Sequence, residues 1–104
     1  MAAYVITQRM QAVRDKEAMA RYPVLAKPII ERFGGKFLVA SDQVKLIEGD
    51  GPAPVRTTII EFPSAEHAMG WYNSPEYKEA AKIRHANTRS HMILVTTDGP
   101  VVLK

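Results

Sequence analysis

The order of apolar and polar positions divides the chain into alternating strand and helix patterns. Residues 3–10 (Ala-Tyr-Val-Ile-Thr-Gln-Arg-Met) are rich in β-branched and aromatic types and predict a strand. Over 15–33 the period changes. Met19, Tyr22, Leu25 or Ala26, Ile29 and Phe33 recur at three- and four-residue steps, which predicts a helix. Pro23 and Pro28 interrupt it, because proline lacks a backbone donor and disfavours helix in the residue before it. The expectation is one or two turns near 15–21 and a firmer piece from about 24 to 33, ended by Gly34-Gly35.

Two short β runs, 36–40 and 44–48, surround Ser41-Asp42-Gln43 and predict a hairpin or a bent edge strand. Residues 49–54 (Gly-Asp-Gly-Pro-Ala-Pro) predict a loop. Residues 55–62 carry apolar groups on both faces and predict a central strand covered on both sides. Ser64 is placed to cap a helix running to about Asn73, with Glu66 in its first turn. Ser74-Pro75-Glu76 starts a second helix, which runs to about 86–88. Residues 90–97 predict the last long strand, Asp98-Gly99-Pro100 a turn, and 101–103 a short edge strand.

The resulting order, two β-α-β crossovers around a hairpin region, is the ferredoxin-like pattern with an antiparallel four-stranded sheet. Helices cover one face of that sheet. Nothing in the chain is left to cover the other, and a large exposed apolar patch marks an interface. The expectation is therefore an α+β domain over 1–104 that forms a homodimer, sheet to sheet.

Composition narrows the chemistry. The chain has 104 residues, 14 basic and 11 acidic, with both signs spread over its two halves. No basic arm or stripe stands out, so nucleic acid is not an expected partner. With no cysteine, thiolate metal sites, disulfides and a cysteine nucleophile are excluded. The apolar runs fall short of the roughly 20 residues of a membrane span, and the start of the chain lacks a signal-peptide pattern. A cytoplasmic protein without membrane attachment is expected. The three histidines show no metal-ligand spacing, and neither a metal nor a cofactor is expected. Gly34-Gly35 follows a helix instead of preceding one, so it is not a phosphate loop.

Arg84 is the foremost candidate residue. On the helix from Pro75 it shares a stripe with Tyr77, Ala80, Ala81 and Thr88. An inward arginine needs an acceptor: either a ligand carboxylate or phosphate, or a structural partner, Glu61 or Glu48. Structural pairs are the commoner cause. Glu61 and His91 are the candidate catalytic bases. The alternatives are a strand-end carboxylate paired with arginine and an ordinary hydrogen-bonded strand-end histidine. Trp71, Tyr72 and Tyr4 are candidates to line an apolar cavity on the sheet face; the alternative is core packing.

Five blocks carry a family resemblance: Phe33-Gly34-Gly35-Lys36-Phe37-Leu38-Val39-Ala40, Leu46-Ile47-Glu48-Gly49, Ile60-Glu61-Phe62-Pro63-Ser64, Trp71-Tyr72-Asn73-Ser74-Pro75-Glu76-Tyr77, and Thr97-Asp98-Gly99-Pro100. In their order and spacing they resemble the DUF1330 family. That family is similar to the dimeric α+β barrels, which include antibiotic-biosynthesis monooxygenases, muconolactone isomerases and haem-dependent relatives. The resemblance implies the fold and the dimer and does not name a reaction. The leading expectation is a small-molecule-binding dimeric barrel with a cavity on the sheet face, taking a small organic or anionic ligand. The alternative is a cofactor-independent monooxygenase or isomerase acting on a small aromatic or enolisable substrate. A haem-handling protein would need His91 or His67 in a large opening, and a purely structural dimer would need no polar group there.

Overall fold

A computed structural model describes residues 2–97. The elements are β1 (Ala3–Arg9), α1 (Lys16–Met19), α2 (Arg21–Arg32), β2 (Lys36–Ser41), β3 (Arg56–Phe62), α3 (Ala65–Asn73), α4 (Pro75–Asn87) and β4 (Ser90–Thr96). The sheet order is β2-β3-β1-β4, with every neighbouring pair antiparallel. This is the ferredoxin-like arrangement, α+β with helices on one face. The expected turn at 98–100 and edge strand at 101–103 lie outside the described residues.

Local chemistry explains the boundaries. Asp15 caps α1, which is a single turn. The helix break falls at Ala20 and not at Pro23. Pro23 sits in the first turn of α2, where its missing N–H has no intrahelical partner to lose. At the other end of α2, Gly34 takes a positive φ of 84°. Its N–H donates to the Glu31 carbonyl, and the Gly35 N–H to the Ile30 carbonyl. These two bonds are the Schellman closure. Ser64 caps α3; Ser74 caps α4 and also donates its hydroxyl to the Trp71 carbonyl, 2.8 Å away.

The second β run, 44–48, is not a strand. β3 already has β2 and β1 on its two edges, so the run could pair only outside β2, and it lies exposed with Ile47 92% accessible. The central strand β3 is covered by helices on one face only.

Alternation gives the sheet two different faces. Toward the helices, cross-strand rows run from Val5, Ile60 and Phe37 through Thr7, Thr58 and Ala40 to Arg9 and Arg56. The face is thus apolar at one end and cationic at the other. On the uncovered face the middle row is wholly aliphatic: Val39, Ile59, Ile6 and Ile93. The core lies under the helices around Trp71, Tyr77 and Phe62, the largest fully buried side chains. Trp71 stacks on Phe62 at 5.5 Å between centroids and lies 4.4 Å from Tyr77. Aromatic residues of this size dominate the burial energy of a small domain.

Candidate functional site

β1 and β3 place Arg9 and Arg56 directly opposite each other on the helix-covered face. Like charges so paired are destabilising. Asp42, just past β2, relieves one of them: its Oδ1 lies 2.6 Å from Arg56 Nη1. That hydrogen bond, with the charge of Arg56, holds the Asp42 carboxyl below its ordinary value. Burial, then the neighbouring Arg56, lowers the value for Arg9. Arg9 makes no ion pair among the described residues.

Arg84 reaches the same region from α4. It is 8% exposed, and no carboxylate lies within ion-pair distance among the described residues. Its Nε is buried without a hydrogen-bond partner. Both expected partners are elsewhere: Glu61 pairs across to Tyr4 on the opposite face of the sheet, and Glu48 lies in the exposed loop. Burial is the largest influence on Arg84 and acts to lower its value. The oxygens of Tyr77 and Tyr22 outweigh that and hold it above the ordinary arginine value. Those two hydroxyls bond each other at 2.6 Å. Burial, followed by Tyr77, pushes the Tyr22 hydroxyl up.

These groups meet in a hollow of about 790 Å³ between the covered sheet face and the helices. Its apolar wall includes Met19, Ala26, Ile30, Ile60 and Trp71; its polar end includes Arg9, Arg56, Arg84 and Lys16, with Asp42 the sole acid in the lining. A smaller hollow of about 610 Å³ adjoins it, sharing Arg84, Ser90 and Met92, and adds Tyr72, His85 and His91.

The hollow lies on the face opposite to the one expected to hold a cavity. The structure brings Arg84 and Trp71 together in it, places Tyr72 and His91 at the adjoining hollow, and leaves Tyr4 and Glu61 outside both. On the far face, the hydrogen bond to Glu61 is the main cause raising the Tyr4 hydroxyl. Sequence reading missed Arg9, Arg56 and Tyr22. The signal for Arg9 was its parity with Val5 and Thr7, that for Arg56 its parity with Ile60, and that for Tyr22 its step from Met19.

Residues 2–98 match the family described as Domain of unknown function (DUF1330). The chain belongs to the DUF1330 family. This DUF1330 domain is similar to a protein of unknown function from Rhodopseudomonas palustris, at 25% identity and a TM-score of 0.78 over 95% of this chain and 84% of that one. It shares its fold with a dimeric ferredoxin-like protein of unknown function from Jannaschia sp. CCS1, at 8% identity and a TM-score of 0.71 over 93% and 100% of the two chains. It also shares the fold with SnoaB, a cofactor-independent oxygenase from Streptomyces nogalater, at 11% identity and a TM-score of 0.60 over 96% and 95%. No curated protein matches the chain. Among the described residues of the DUF1330 domain, no helix is long and apolar enough to cross a membrane, and no three His, Asp or Glu side chains cluster as metal ligands.

His85 lies 3.2 Å from Arg84, Nε2 to Nη2, and as the neutral imidazole it accepts that bond. Burial, then Arg84 and Lys78, lowers its value from the ordinary 6.5. The folded DUF1330 domain therefore binds fewer protons at His85 than the unfolded chain. Stability is lost as pH falls below about 6.5. The melting temperature of the wild type is expected to drop more steeply than that of His85→Gln on going from about pH 8 to about pH 5. Parallel curves would show that the bond to Arg84 does not depend on neutral His85.

Proposed function

We propose that this domain binds a small organic anion in the hollow between its helices and sheet, and that it does so as a homodimer paired through its uncovered sheet face. One observation carries the binding reading: Arg84 is buried in the hollow wall with no carboxylate partner among the described residues. A buried charge without a counter-charge is costly, and a ligand carboxylate supplies the missing one through charge-assisted hydrogen bonds. Arg9 and Arg56 at the same end favour the same ligand. The apolar wall suits a hydrophobic body, and the volume is in the range of small-molecule sites.

The alternative is a cofactor-independent oxygenase or isomerase, the first being what SnoaB is described as. Either would need a base beside its substrate. Glu61 and His91 are not in the lining of the larger hollow, and Asp42 is bound to Arg56, so binding is the better supported reading.

Thermal denaturation with benzoate and with benzamide tests it. At a hundredfold excess over its Kd, benzoate should stabilise by about 2.7 kcal/mol, and the neutral amide should have little effect. Equal stabilisation by the two, or none by either, would overturn the reading.

The dimer reading is supported by the aliphatic row Val39, Ile59, Ile6 and Ile93, with Ile93 54% exposed in the single chain. Sedimentation should give twice the 11.6 kDa chain mass, and Ile6→Lys should give a folded monomer, since it places a charge in the middle of that row. A wild-type monomer would contradict this.

A further inference from the structure

Arg84 is not the sole cation in the hollow wall without a counter-charge among the described residues; Arg9 is another. A single carboxylate on Arg84 leaves Arg9 unanswered. The sheet fixes where Arg9 stands. β1 is an inner strand, and Arg9 lies in one cross-strand row between Arg56 on β3 and Ser90 on β4. The backbone is tied on both sides at this point. The Val55 N–H donates to the Arg9 carbonyl at 2.7 Å, and the Met10 N–H to the Arg89 carbonyl at 2.8 Å. Side chains carried by such rigid elements make more precise sites than side chains on loops.

Neither neighbour in the row balances Arg9. Ser90 is neutral. Arg56 carries the same sign directly opposite, where like charges destabilise each other. The acid in the lining, Asp42, is engaged with Arg56 at 2.6 Å. Lys16 and Lys27 also line the hollow, but both are exposed to water. Arg9 and Arg56 are half-buried and Arg84 is buried. This end of the hollow therefore holds more positive charge than one carboxylate neutralises.

We propose that the ligand is a dianionic organic acid: one charge meets Arg84, and the second meets Arg9. This rests on the anion-binding reading and names the ligand class for it. Two carboxylates or one phosphate monoester supply the charge, and the planar guanidinium fork suits either group.

The test is calorimetry at about pH 8, where a phosphate monoester is doubly charged. It compares benzoate with isophthalate, terephthalate and phenyl phosphate. All four share the ring. The two phthalates carry their second charge on a second head at different distances, and the phosphate carries both on one head. At least one dianion should bind about tenfold more tightly than benzoate, and its identity tells one head from two. Arg9→Gln should fold, because it removes the like charge opposite Arg56. It should bring that dianion close to the benzoate affinity and move benzoate itself by less than about threefold. Lys45→Gln makes the same charge change at an exposed position outside the hollow. It should leave the preference in place, which separates contact with Arg9 from general attraction. Benzoate binding as tightly as every dianion would overturn the second charge and leave anion binding standing. So would a dianion preference that survives Arg9→Gln, or one lost equally in Lys45→Gln. Failure of all four acids to bind would overturn both readings.

Discussion

Arg84→Met should leave the fold intact, cost little stability, and weaken carboxylate binding by about a hundredfold. Methionine keeps the apolar stem of the arginine and removes a buried charge that has no carboxylate partner among the described residues. Removal of such a group from a binding site is commonly neutral or stabilising. What it leaves behind is largely satisfied: Tyr22 and Tyr77 bond each other, and His85 is exposed to water. The binding loss follows from the ligand's side. A buried anion deprived of its charge-assisted bonds loses roughly 2–5 kcal/mol, and a hundredfold is about 2.7 kcal/mol. Arg84→Lys should fall in between, since lysine keeps the charge and loses the planar fork. Denaturant melts and calorimetry with benzoate measure both effects. A loss of several kcal/mol in stability with unchanged binding would make Arg84 a structural residue. Pairing Arg84→Met with Glu61→Gln should give additive effects, because the sheet separates the two side chains.

The largest stability loss is expected from Gly35→Val, about 3 kcal/mol or more. A Cβ at position 35 would stand 2.4 Å from Ile30 Cγ2 and 2.9 Å from both the Ile30 carbonyl oxygen and a Phe62 ring carbon. The carbonyl belongs to the helix end that the Gly35 N–H itself closes, so relief of the clash opens the closure of α2. A β-branched residue adds two more carbons to the same space. Lys36→Ala, one position on and exposed, should change stability by no more than about 0.5 kcal/mol. Comparable melts for the two variants would mean that the chain between α2 and β2 yields easily.

Much of the architecture could be read from local chemistry. Ser74-Pro75-Glu76 combines a cap, a proline at the first helical position and an acid beside the helix dipole, and α4 starts there. Gly34-Gly35 read as a stop because only glycine takes the positive φ found at Gly34. The stripe containing Arg84 was equally legible, since three- and four-residue spacing fixes a helix face. The side of the sheet that carries the hollow was not. Strand register decides which face a residue occupies, and a shift of one residue exchanges the faces. Glu61, between the buried Ile60 and Phe62, therefore turned away from Arg84. Arg9 and Arg56 did not stand out, because only the pairing of β1 with β3 brings them together under the helices. Residues 44–48 have strand composition, and composition does not reveal that the run stays off the free outer edge of β2.

The most direct test of the account is a crystal structure of the protein soaked with benzoate. The carboxylate is expected in the hollow under α1 and α2, accepting from the Arg84 guanidinium, with the ring against Ile60 and Trp71. Benzoate seated only on the outer sheet face beside Tyr4 and Glu61, with the hollow holding none, would contradict it.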